Sequence, residues 1–158
     1  MLRQLLSSLL AWLLGKTSKP EPEPEPILPT STKRIDYGDL YALLRIEAPQ
    51  AEIFLSDKEY LLCNKADIRA FLAQDETNKM GYVPEARDCD DFSYRLMGQL
   101  SIPGWSDLAF GIIWTNLHAM NCFVTEDKLF YYVEPQNDFL QHGGLLPQQG
   151  NVIRLIVM

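Results

Sequence analysis

The stretch RDCDDFSYRLMGQL, residues 87–100, decides how this chain is read. Cys89, Phe92, Ser93, Leu96, Met97 and Leu100 recur at three- and four-residue spacing, so they share one face of a helix. Asp88 precedes them as an N-cap and leaves Cys89 at the first helical position. Unpaired N–H groups and the helix dipole favour negative charge there, which eases ionisation of a thiol. The neighbours Asp88, Asp90 and Asp91 push the other way, because carboxylates beside a thiol disfavour the thiolate.

Working outward, the pattern is helical before this stretch and β after it. Asp36 or Asp39 can cap a helix carrying Leu40, Leu43, Leu44 and Ile46, stopped before Pro49. A short strand pair is expected around EIFLS and EYLLC, and Asn64 reads as the N-cap of a second helix with Ile68, Phe71 and Leu72 on one face. Beyond residue 105 come LAFGIIW, HAMNCFV, LFYYVEP and NVIRLIVM, short runs rich in branched and aromatic residues. Helices first and strands second predict an α+β domain in which the Cys-bearing helix packs on an antiparallel sheet.

The strands carry the other reactive groups. The chain has two histidines, His118 in a predicted strand and His142 in a predicted loop, so His118 is the better-held imidazole. If residues 126–128 form a three-residue hairpin loop, paired positions of the two flanking strands sum to 254. Glu134 then stands opposite Met120 and diagonal to His118, within reach of its ring; a two- or four-residue loop would turn Glu134 to the other face.

Composition limits the function classes. The 158 residues carry a formal charge of -7 and suit one domain with appendages. Phosphate neutralisation needs clustered Lys and Arg that this chain lacks, so a nucleic-acid partner is not expected. Three cysteines are too few for a disulfide scaffold; Cys63 and Cys122 read as core thiols.

Residues 1–16, MLRQLLSSLLAWLLGK, place leucines at helical spacing opposite Arg3, Gln4, Ser7 and Ser8. The run is shorter than the ~20 residues of a spanning helix. A helix seated on a membrane surface, a signal peptide for export, and a partner-binding helix are the readings open to it. Residues 17–34 include KPEPEPEPILP, whose prolines and repelling glutamates make an extended spacer. The folded domain is expected over 35–158.

The succession DCDDFSYRLMGQLSIPGW, HAMNCFV and LFYYVEPQND resembles the papain-like and transglutaminase-like superfamily, in which a Cys opens a helix, a His starts a strand and an acid–Pro pair ends the next. Within it the similarity is strongest to the C-terminal cysteine-protease domain of the Marasmius oreades agglutinin and to short phage proteins labelled lectin-like. The resemblance implies that Cys89 is the nucleophile, His118 the general base and Glu134 the orienting acid, with Asn137 the substitute where papain has Asn. It implies a cysteine peptidase or amidase acting on a peptide or protein substrate, or a transglutaminase; a membrane-tethered binding module without turnover is the alternative on the same fold. The similar fungal domain is metal-activated, and a hard divalent cation such as Ca²⁺ is therefore expected at Asp90 or Asp91, with Asp138, and no organic cofactor.

Overall fold

The computed structural model describes residues 28–143 and 151–158. Among these are eight strands and three α-helices, an α+β arrangement: β1 (Arg34–Asp36), α1 (Tyr37–Glu47), β2 (Glu52–Phe54), β3 (Glu59–Leu61), α2 (Lys65–Leu72), α3 (Cys89–Leu100), β4 (Phe110–Thr115), β5 (Ala119–Val124), β6 (Phe130–Glu134), β7 (Phe139–His142) and β8 (Ile153–Val157). Residues 1–16 and most of the expected linker lie outside the described residues.

Local signals place the helices. The Asp36 side chain accepts from the Asp39 N–H at the head of α1, and Asn64 accepts from the Ala66 N–H at the head of α2. Asp88 precedes α3, where the Asp91 carboxylate accepts from the Asp88 backbone N–H at 3.1 Å. Phe92, Ser93, Leu96 and Leu100 are the buried residues of α3.

Six strands form one sheet in the order β2-β8-β4-β5-β6-β7, and β1 and β3 make a separate pair. The β5–β6 hairpin has the register expected from a three-residue loop, with Asn121 opposite Val133 and Cys122 opposite Tyr132. Lys128 takes the left-handed φ of +60° that closes such a loop, and its N–H bonds the Thr125 carbonyl.

Two expectations are corrected. The sheet is mixed, because β2 runs parallel to β8. EIFLS and EYLLC do not pair with each other: β2 adds to the free edge of β8, while β3 pairs with β1. The Tyr37 N–H bonds the Lys58 carbonyl and the Met158 N–H bonds the Phe54 carbonyl, so each short strand finds its partner far along the chain. Such partners leave no local sequence signature.

Each face of the sheet has its own core. On one, Leu40 and Leu44 of α1 meet Ile113, Met120, Cys122, Phe130, Tyr132 and Ile156. On the other, Leu72 of α2 and Leu96 and Leu100 of α3 meet Phe110, Phe123 and Val133. The alternation of β4, β5 and β6 thus separates an α1 face from an α3 face. Gly111 is where the sheet is tightest: a Cβ there would stand 2.1 Å from the Val157 carbonyl oxygen.

Candidate functional site

Two open clefts lie beside the sheet, and one of them holds two of the residues expected to act together. His118 and Glu134 meet as expected. Their Nε2 and Oε2 atoms are 2.6 Å apart, with side chains about three-quarters buried. The loop between β4 and β5 holds His118 in place, since Thr115 Oγ1 accepts from the His118 N–H at 2.9 Å. The pair lines a cleft of about 240 Å³ with Met120, Tyr132, Phe139, Gln141 and Asn151. These are α1-face positions of β5, β6 and β7. Asn137 plays no part in it, because its Oδ1 accepts from the Phe139 N–H in the β6–β7 turn.

Cys89 is half-buried at the first position of α3, which covers the other face. The Asn121 side chain bonds the Ser93 carbonyl at 3.0 Å, and Tyr94 stacks at a tilt on Trp114, so the first turns of α3 lie over α3-face positions of β4 and β5. No hydrogen bond joins the Cys89 sulfur to His118 among the described residues. The sulfur instead sits with the Asp88 and Asp90 carboxylates, all within 4.8 Å of one another.

Of the acids expected to share a cation, Asp90 lies within 4.8 Å of Asp88 and Cys89. Asp88 and Asp90 are hydrogen-bonded side chain to side chain; that bond holds the Asp88 carboxyl below its usual range and raises that of Asp90. Asp91 caps α3. The Asp138 carboxylate accepts from the Asn78 side chain, and burial together with the charge of Asp75 pushes its carboxyl up.

The second cleft was not foreseen from sequence. It is about 660 Å³ and lies between α3 and the β2–β8–β4 edge, lined by Gln50, Glu52, Tyr94, Trp114, Arg154 and Leu155 among others. Tyr94 is 54% exposed and Trp114 half-buried, with ring centroids 5.7 Å apart at 59°. Gln50, Glu52 and Arg154 are exposed beside them. One signal was available: Tyr94 is an aromatic residue lying off the apolar face of its helix.

No protein-family model matches the chain, and no curated protein matches it. Solved structures do. A PSL1a–E64 complex superposes with a TM-score of 0.67 at 20% identity, over 79% of this chain and 51% of that one. Polyporus squamosus lectin bound to the human-type influenza-binding epitope Neu5Acα2-6Galβ1-4GlcNAc superposes with a TM-score of 0.64 at 19% identity, over 79% and 49%. This chain therefore has the fold of part of these proteins. It spans about half of their length.

These findings correct the functional expectation. The structures that share the fold include a lectin holding a glycan. The cysteine peptidase, amidase and transglutaminase readings, and the peptide substrate with them, are accordingly overturned. Among the described residues the Cys89 sulfur lies with the Asp88 and Asp90 carboxylates, while the imidazole–carboxylate pair lines a cleft with Met120 and Tyr132.

Proposed function

We propose that the domain is a carbohydrate-binding module and that the ligand lies in the cleft between α3 and the β2–β8–β4 edge. The observation that carries this is the Tyr94–Trp114 pair, an aromatic surface open to solvent in a cleft otherwise lined by polar and charged side chains. A pyranose ring has the complementary structure, with a face of C–H groups that covers an aromatic ring and a rim of hydroxyls that needs hydrogen-bond partners. Gln50, Glu52 and Arg154 supply donors and acceptors for that rim. The Arg154 guanidinium also suits the carboxylate of an acidic sugar, since its planar fork can bond both oxygens. The glycan bound to the Polyporus squamosus lectin, about half of which shares the fold, supports this class of ligand.

The test is calorimetric titration of the full chain with Neu5Acα2-6Galβ1-4GlcNAc and with neutral Galβ1-4GlcNAc. Binding of either sugar that falls at least about tenfold in Trp114→Ala, a loss of about 1.4 kcal/mol, supports the proposal. Absence of binding at millimolar sugar, or binding indifferent to Trp114→Ala, overturns it. A preference for the acidic sugar that disappears in Arg154→Gln assigns the carboxylate contact. The expectation that residues 1–16 seat the domain on a membrane belongs to the same proposal, and co-sedimentation with anionic vesicles, lost on deleting those residues, is its measure.

A further inference from the structure

We propose that the ligand of this domain is a glycan carrying a neutral hydrocarbon aglycone at its reducing end, and that a third cleft, beside the C-terminal end of α1, receives that aglycone. The inference rests on the sugar-binding reading above and names its ligand more closely. This cleft, of about 250 Å³, shares Gln50, Val152 and Ile153 with the 660 Å³ cleft assigned to the sugar, so the two adjoin. Glu47, Ala48, Pro49 and Asn151 complete its lining. The two differ in kind. Tyr94, Trp114, Glu52 and Arg154 line the larger cleft alone, whereas Ala48, Pro49, Val152 and Ile153 make the smaller one largely aliphatic.

Lining and charge select the occupant. Among the described residues no aromatic ring and no basic side chain lines the smaller cleft, so a pyranose finds no ring to stack on there and an anionic tail finds no cation. The Glu47 carboxylate disfavours an anionic tail further. Hydrocarbon needs neither kind of partner. Val152 is 49% exposed where the clefts adjoin and Pro49 is exposed beyond it, and covering such surface recovers free energy. The shared wall is also fixed in place. Arg45 Nη1 donates to the carbonyls of Pro49 and Ala51, on either side of Gln50, at 3.1 and 2.8 Å, and Arg45 Nη2 donates to the Tyr41 hydroxyl at 2.6 Å. At the head of β8, Asn116 Oδ1 accepts from the Val152 N–H at 2.8 Å and the Asn116 N–H donates to the Val152 carbonyl at 3.0 Å. A wall ordered before the ligand arrives lowers the ordering cost of binding.

The experiment titrates the full chain by calorimetry with the methyl and the hexyl glycoside of Neu5Acα2-6Galβ1-4GlcNAc, the hexyl compound kept below its micelle concentration. The expected result is that the hexyl glycoside binds at least about tenfold more tightly than the methyl glycoside. In Pro49→Asp, which puts a charge into the smaller cleft alone, that ratio falls to near one; in Trp114→Ala both glycosides weaken together. Circular dichroism establishes that each variant is folded, and the Arg45 bond to residue 49 survives the substitution because it goes to the backbone carbonyl. Equal binding of the two glycosides by the wild type, or a folded Pro49→Asp that keeps the full ratio, overturns this inference and leaves the sugar-binding reading standing. Absence of binding by either glycoside overturns both. So does hexyl glycoside binding that Pro49→Asp weakens and Trp114→Ala does not, because the alkyl chain is then held without the sugar.

Discussion

The two faces of one sheet differ in the kind of cleft they build. On the α1 face the polar groups have already found each other: Glu134 occupies His118 Nε2, and Tyr132 is buried beside them. On the α3 face the aromatic pair Tyr94 and Trp114 is half-open to water, and Glu52, Gln50 and Arg154 stand exposed along the wall. An exposed aromatic surface costs free energy in water and recovers it when covered. A hydrogen-bonded pair already satisfied gains nothing by comparison. The proposed sugar site accordingly lies on the α3 face.

The largest effect should come from the strand that both faces share. Gly111→Ala drives a methyl group against the Val157 carbonyl and the Met158 side chain, and neither β4 nor β8 can yield without breaking their pairing. Overpacking of this kind costs about 3 kcal/mol or more, and both clefts should fail together. Urea unfolding measures it. A Gly111→Ala protein with wild-type stability would mean that β8 is not seated as described.

The next prediction separates the faces. Glu134→Gln should cost on the order of 1 kcal/mol through the hydrogen bond to His118, and should leave sugar affinity unchanged. Trp114→Ala should do the reverse, with affinity lost and the His118–Glu134 contact intact, read from the imidazole resonances by NMR. If Glu134→Gln abolishes sugar binding, the two clefts act as one site.

The sequence carried some of this division and hid the rest for a physical reason. The caps Asp36 and Asn64 are local, since each side chain reaches a backbone N–H two or three residues on, and they were readable directly. The β5–β6 register was readable because a three-residue loop fixes which residues face each other, and the contact of His118 with Glu134 follows from it. The side of the sheet on which α3 packs is fixed by Leu96 and Leu100 choosing Phe110 and Phe123 over Ile113 and Cys122. All of these are apolar, so alternation within the strands gives two equivalent answers. The exposure of Trp114 likewise depends on where α3 ends up.

The smallest effect concerns the chain that approaches β1 within the expected linker. Thr30 bonds the Asp67 carboxylate of α2, and the N–H groups of Thr32 and Lys33 donate to Glu126 Oε1 at 2.9 and 3.2 Å. Those two backbone bonds, with the Lys33 charge, hold the Glu126 carboxyl below its usual range. A carboxyl lowered by folding stabilises the folded form above its unfolded pKa of about 4.3, and this contribution fades as pH falls toward the lower folded value. Amide exchange at Thr32 and Lys33 should therefore quicken below about pH 4, beyond the intrinsic pH trend. Glu126→Gln should show the quicker exchange already at neutral pH, without further response to acid, while amides of α1 stay as they were. Equal acceleration on α1 would mean that the loss is global, and that the strap at Glu126 and the α1 face do not open independently.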